Sequence, residues 1–153
     1  MPVREGVVYM IEQDTICLLR ECDSGIKMGV ASIEEVLPRV SGKELRQDLR
    51  ACRQAHDALQ REIQQQLTRF HDQGKNPNPL IKGMSRIKTE LKLGVEESDA
   101  VIAGLMTDGC NMGVKSLNKY LNQYEAADEF SKDITKRLIH LEEQLAEQMR
   151  PYL

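Results

Sequence analysis

The sequence predicts an all-α fold, a single bundle of four long helices, and three observations carry that expectation. Apolar residues recur in alternating steps of three and four along four long stretches, which is the spacing of one helix face. Charged residues make up 29% of the chain and aromatics 4%, with no Trp and two Phe, a balance that favours helices over sheets. Finally, "DSGIKMGVASI" at 23–33 returns as "TDGCNMGVKSL" at 107–117, so that Gly25/Gly109, Met28/Met112, Gly29/Gly113, Val30/Val114 and Ser32/Ser116 coincide at an offset of 84 residues. At 153 residues the chain is long enough for one domain, spanning 1–153, with a real core.

The first helix is expected from about Gly6 to Leu37, with Val8, Ile11, Thr15, Leu18, Cys22, Gly25 and Gly29 as its stripe. Pro38 stops it and "VSG" makes the turn. Ser41 followed by Glu44 has the form of a capping box for the second helix. That helix carries Leu45, Leu49, Cys52, His56, Leu59, Ile63, Leu67 and Phe70, and "DQGKNPNP" ends it near His71. A shorter amphipathic piece follows between Leu80 and Leu93. Ser98 is the expected N-cap of the third helix, with Asp99 beside the positive helix end, and the helix extends to about Tyr124. The fourth begins near Ala127 and carries Phe130, Ile134, Leu138, Leu141, Leu145, Met149 and Tyr152.

The repeat is expected to cover two helical hairpins, about 6–73 and 97–153. The stripes of the second and fourth helices match best at an offset of 82, however, whereas the glycines repeat at 84, so the second and fourth helices align loosely. Short connections make each hairpin antiparallel. The roughly two dozen residues around 75–97 are enough to run the length of a bundle, which makes the middle helices parallel. Two duplicated hairpins joined by a long crossover containing a short helix resemble the ferritin-like superfamily. That resemblance implies an up-down-down-up bundle in which the first and third helices are antiparallel neighbours, and it raises the expectation of assembly.

Gly25/Gly29 and Gly109/Gly113 are spaced i, i+4, so each pair shares a helix face. A glycine inside a helix costs about 1 kcal/mol against Ala, so four of them need an offsetting gain. The plainest gain is a tight waist where the first and third helices pack closely. The alternatives are room for a ligand, metal or substrate at mid-bundle, or a contact with a second subunit.

Ferritin-like di-iron proteins take Glu-x-x-His from the second and fourth helices. Here "CRQAH" places Arg53 before His56, and "RLIH" places Arg137 before His140, so the resemblance does not carry ferroxidase activity with it. A polar layer of Cys22, Asp23, Cys52, His56, Asp108, Cys110 and His140 remains as a candidate site. Thiolate and imidazole suit zinc, and carboxylate suits iron. Against this, buried cysteines are ordinary core residues, and a histidine on an apolar stripe is ordinarily hydrogen-bonded core. Asp23 lies on an apolar side, where a salt bridge to a Lys or Arg is the ordinary outcome and a general base the rarer one. No phosphate loop, nucleophile elbow or dinucleotide fingerprint is present.

The formal net charge of −3 with both signs interspersed, and few aromatics for stacking, argue against nucleic acid. No run of 18 apolar residues marks a membrane span, and no signal peptide is evident. A cytoplasmic protein with four reduced cysteines is expected. The leading functional expectation is a non-enzymatic bundle acting by homo-oligomerisation or by binding another protein, with "KRLIHLEEQLAEQM" as a contact surface. The alternative is a metal- or small-molecule-binding protein that uses the polar layer.

Overall fold

A computed structural model describes residues 2–77 and 98–153. Four helices carry the fold: α1 (Pro2–Val36), α2 (Lys43–Arg69), α3 (Asp99–Gln123) and α4 (Glu129–Met149). Single 3-10 turns follow α1 (Leu37–Arg39) and α4 (Arg150–Tyr152), and no strand occurs among the described residues. The expected helix within 80–93 lies outside them. No helix among the described residues is long and apolar enough to cross a membrane.

The helix ends follow local chemistry, with one correction. Ser98 caps α3 through Val101 N (3.2 Å), and Asp128 caps α4 through Ser131 N (2.8 Å). The end of α2 is a Schellman motif: Asp72 N donates to Leu67 O and His71 N to Thr68 O. His71 takes the left-handed position at φ 56°, which histidine tolerates better than most residues. The Ser41–Glu44 capping box is not formed. The N-cap of α2 is Gly42, with no side-chain cap of its own. Asp99 supplies the cap instead, accepting from Ser41 N (2.9 Å) and Gly42 N (2.8 Å). Gly42 makes room for it, since a Cβ there would lie 2.8 Å from Asp99 Oδ2.

Three further contacts tie the ends together. Asp14 and Thr15 of α1 accept from Ala126 N (3.0 Å) and Asp128 N (2.8 Å) in the α3–α4 turn. Beyond α4, Tyr152 donates to Asp48 of α2 (3.1 Å). Past α2, Arg20 pairs with Asp72.

The core falls into two clusters. One joins Ile33, Val36, Leu45, Leu49, Ile102, Leu105, Met106, Leu145 and Met149. The other joins Leu19, Cys22, Ile26, Leu59, Ile63, Leu67, Leu117, Ile134 and Leu138. Three expected stripe residues, Val8, Ile11 and Phe130, are exposed. Val8 and Ile11 belong to the N-terminal turns of α1, where the helix has no packing partner among the described residues.

Replacing Asp99 with Ala removes the cap of α2 and is expected to cost about 1–2 kcal/mol in urea denaturation. Ser41→Ala, which removes no cap, is expected to leave the midpoint nearly unchanged.

Candidate functional site

Between the two core clusters each helix contributes one residue that is not aliphatic. On α1, Gly29 separates Ile26 from Ile33, and on α2, His56 separates Cys52 from Leu59. On α3, Gly113 separates Cys110 from Leu117, and on α4, Glu142 separates Leu138 from Leu145. His56 is 1% exposed and donates from Nε2 to Glu142 Oε1 at 2.8 Å. Its Nδ1 lies 2.8 Å from the Cys52 carbonyl oxygen, which can only accept. Both ring nitrogens therefore face acceptors, the arrangement of an imidazolium. Burial alone would discharge the ring, but the hydrogen bonds to Cys52 and Glu142 outweigh it and push its pKa up to about 10. Burial, followed by the charge of the nearby Glu142 carboxylate, drives the Cys110 thiol pKa well up.

The glycines explain how the pair fits. A Cβ on Gly29 would lie 3.3 Å from His56 Nε2, and one on Gly113 would lie 3.3 Å from Glu142 Oε2. Gly25 and Gly109, one turn away, differ: a Cβ on either would meet nothing within 4 Å. The tight waist expected at the glycines is therefore not what these positions make. All four line a cleft of about 560 Å³ between α1 and α3. Its walls include Met28, Ile33, Leu105, Met106, Met112 and Leu117, with His56, Leu138, Glu142 and Leu145 contributed by α2 and α4. Glu21, Lys75 and Tyr120 also line it, and Lys75 Nζ sits 2.6 Å from Glu21 Oε1.

The seven residues of the expected polar layer do not converge. Cys52, His56 and Cys110 gather around Glu142. Cys22 lies in the other core cluster, donating its thiol proton to Thr135 Oγ1 (3.2 Å) while Thr135 donates to Ser131 O. Burial, opposed by that bond, pushes the Cys22 pKa up to about 12. Asp23 is fully buried, paired with Lys27 Nζ (2.7 Å) and accepting from Gln64 Nε2 (2.8 Å) and Lys75 N (3.1 Å). It holds the chain after α2 in place, and Gly74, at φ 87°, is needed there because a Cβ would collide with Asp23 Oδ2. Asp108 sits at the exposed edge of the cleft, and His140 is exposed outside it.

All four cysteines are free. Among the described residues no group of three or more His, Cys, Asp and Glu side chains is placed to hold a metal ion. The two arginines standing where di-iron ligands would be are engaged elsewhere: Arg53 with Glu34 (2.7 Å), and Arg137 with Glu62 (2.9 Å) and Asp133 (3.1 Å). A di-iron centre does not fit these residues.

The residue that sequence reasoning missed is Glu142. It lies four after Leu138 and three before Leu145, a carboxylate set into an apolar stripe, and that was the available signal. No family model, curated protein or solved structure matches the chain.

Two outcomes follow from this geometry. Gly25→Ala, whose methyl meets open space, is expected to stabilise by about 0.5–1 kcal/mol through helix propensity, whereas Gly29→Ala is expected to give no gain or a loss in the same urea titration. Between about pH 6.5 and 10 the folded chain also holds a proton on His56 that the unfolded chain has released. The stability difference between wild type and His56→Gln is thus full below pH 6.5 and shrinks as pH rises, which denaturation from pH 6 to about 8.5 will follow before free thiols titrate.

Proposed function

We propose that this chain is a binding protein for a small, uncharged and largely apolar molecule, held in the cleft between α1 and α3. The observation that carries the proposal is the pairing of empty space with missing side chains. Gly25 and Gly109 both line a cleft of about 560 Å³, a volume typical of ligand sites, and nothing among the described residues lies within 4 Å of where their Cβ atoms would be. Methionines at 28, 106 and 112 give its walls the adaptability of ligand-accepting surfaces. The ion pairs facing the cleft, His56–Glu142 and Lys75–Glu21, are each neutral as pairs. A ligand therefore needs no net charge, only a hydrogen-bonding group to meet one of these polar points.

Binding is preferred to catalysis on the state of the nucleophiles. The Cys110 thiol is held protonated by burial and Glu142, and both nitrogens of His56 are occupied.

The bundle that frames the cleft is proposed to have the ferritin-like up-down-down-up arrangement. Asp99, the first residue of α3, binds the Ser41 and Gly42 amides at the start of α2, which supports parallel middle helices. The Tyr152–Asp48 bond, joining the end of α4 to the early turns of α2, supports the same arrangement.

A neutral apolar fluorophore such as N-phenyl-1-naphthylamine tests the site. Saturable one-to-one binding is expected with wild type, and its loss with Gly109→Leu, a variant that fills the cleft and keeps full helicity by circular dichroism. Equal binding by wild type and the filled variant would remove the cleft from the account.

A further inference from the structure

We propose that the N-terminal turns of α1 form a homodimer contact, with the two copies' helices antiparallel about a two-fold axis near Val8. This rests on a part of the molecule separate from the cleft. α1 meets the rest of its own chain at Asp14 and Thr15, which bind the α3–α4 turn. Before that point every residue from Arg4 to Gln13 is exposed, about 15 Å of helix. Within it Val7, Val8, Tyr9, Met10 and Ile11 are 52, 60, 64, 59 and 39% exposed. Five successive apolar residues cover the whole helix circumference, and a helix apolar all round is one that other helices enclose. The stripe that buries Thr15, Leu19, Cys22 and Ile26 also runs back through Ile11 and Val8, with nothing among the described residues to receive it.

Charge identifies the occupant. Arg4 and Glu12 stand four residues to either side of Val8. Antiparallel pairing about Val8 sets Arg4 of each copy against Glu12 of the other, two equivalent ion pairs of the kind a two-fold interface requires. The same pairing carries the second copy's first turn to the level of Thr15, beside the first turn of α4, where Phe130 is 46% exposed. A lipid surface fits less well. Arg4 is the one basic residue among 2–14, against Glu5, Glu12 and Asp14, whereas helices that lie on anionic membranes are rich in Lys and Arg.

Sedimentation velocity on the full chain, from about 1 to 500 µM, tests the proposal. A reversible monomer–dimer equilibrium is expected. Val8→Glu should yield monomer throughout with unchanged helicity, because Val8 contributes nothing to its own core. Arg4→Glu should weaken the dimer about tenfold, roughly the 1.4 kcal/mol of a well-formed charge contact turned repulsive, and Arg4→Glu combined with Glu12→Arg should restore it. A wild-type monomer at every concentration would overturn the proposal. So would a dimer that Val8→Glu leaves intact, a charge swap that fails to restore, or a monomer that binds phosphatidylserine vesicles through this segment.

Discussion

The structure turns on one buried ion pair, His56 with Glu142, and on the two glycines that make space for it. Together they form a layer with one residue from each helix, set between two aliphatic clusters. A pair this buried is not there for stability, since its Coulombic gain is largely cancelled by desolvation, and well-packed aliphatic residues would do as well or better. Breaking it is another matter. Removing either partner strands a charge or an unpaired ring in the interior, at about 3–5 kcal/mol. The pair therefore acts as a register lock between α2 and α4, and its bulk crowds a Cβ on α1 or α3 at the same level, at 3.3 Å in each case.

From that constraint the cleft follows. Each glycine pair divides its work: Gly29 and Gly113 clear the ion pair, while Gly25 and Gly109 leave open space one turn away. The duplication matters because a cleft between two helices needs both walls thinned at the same height. The polar atoms at its base are satisfied by one another, so an empty or an apolar-filled cleft leaves no charge unpaired.

Much of this was legible in the residues. The stripes located all four helices, Ser98 marked a cap, the repeat flagged the four glycines, and His56 stood out on an apolar face. What escaped had physical causes. The Ser41–Glu44 pattern is local, but a carboxylate from α3 reached the same amides first, and sequence spacing cannot show a distant competitor. Glu142 was hidden because it pairs with a residue 86 positions away, matching neither internal register. The expected polar layer set Cys22 and Asp23 level with His56. The Arg53–Glu34 and Gln64–Asp23 contacts set a different register, which puts Cys22 in the other cluster. Periodicity placed Val8, Ile11 and Phe130 on apolar stripes, but a stripe records which face is apolar and not whether this chain supplies the partner.

The most direct test of the central claim is the protonation of His56, read by nitrogen-15 NMR of the imidazole in wild type and Glu142→Gln. The expected result is a ring with both nitrogens protonated at pH 7.5, unchanged until the pH approaches 10, and a fall in its pKa when Glu142 loses its charge. A ring that titrates near the ordinary 6.5 in both proteins would mean that the buried pair, and the layer built on it, does not hold the bundle in this arrangement.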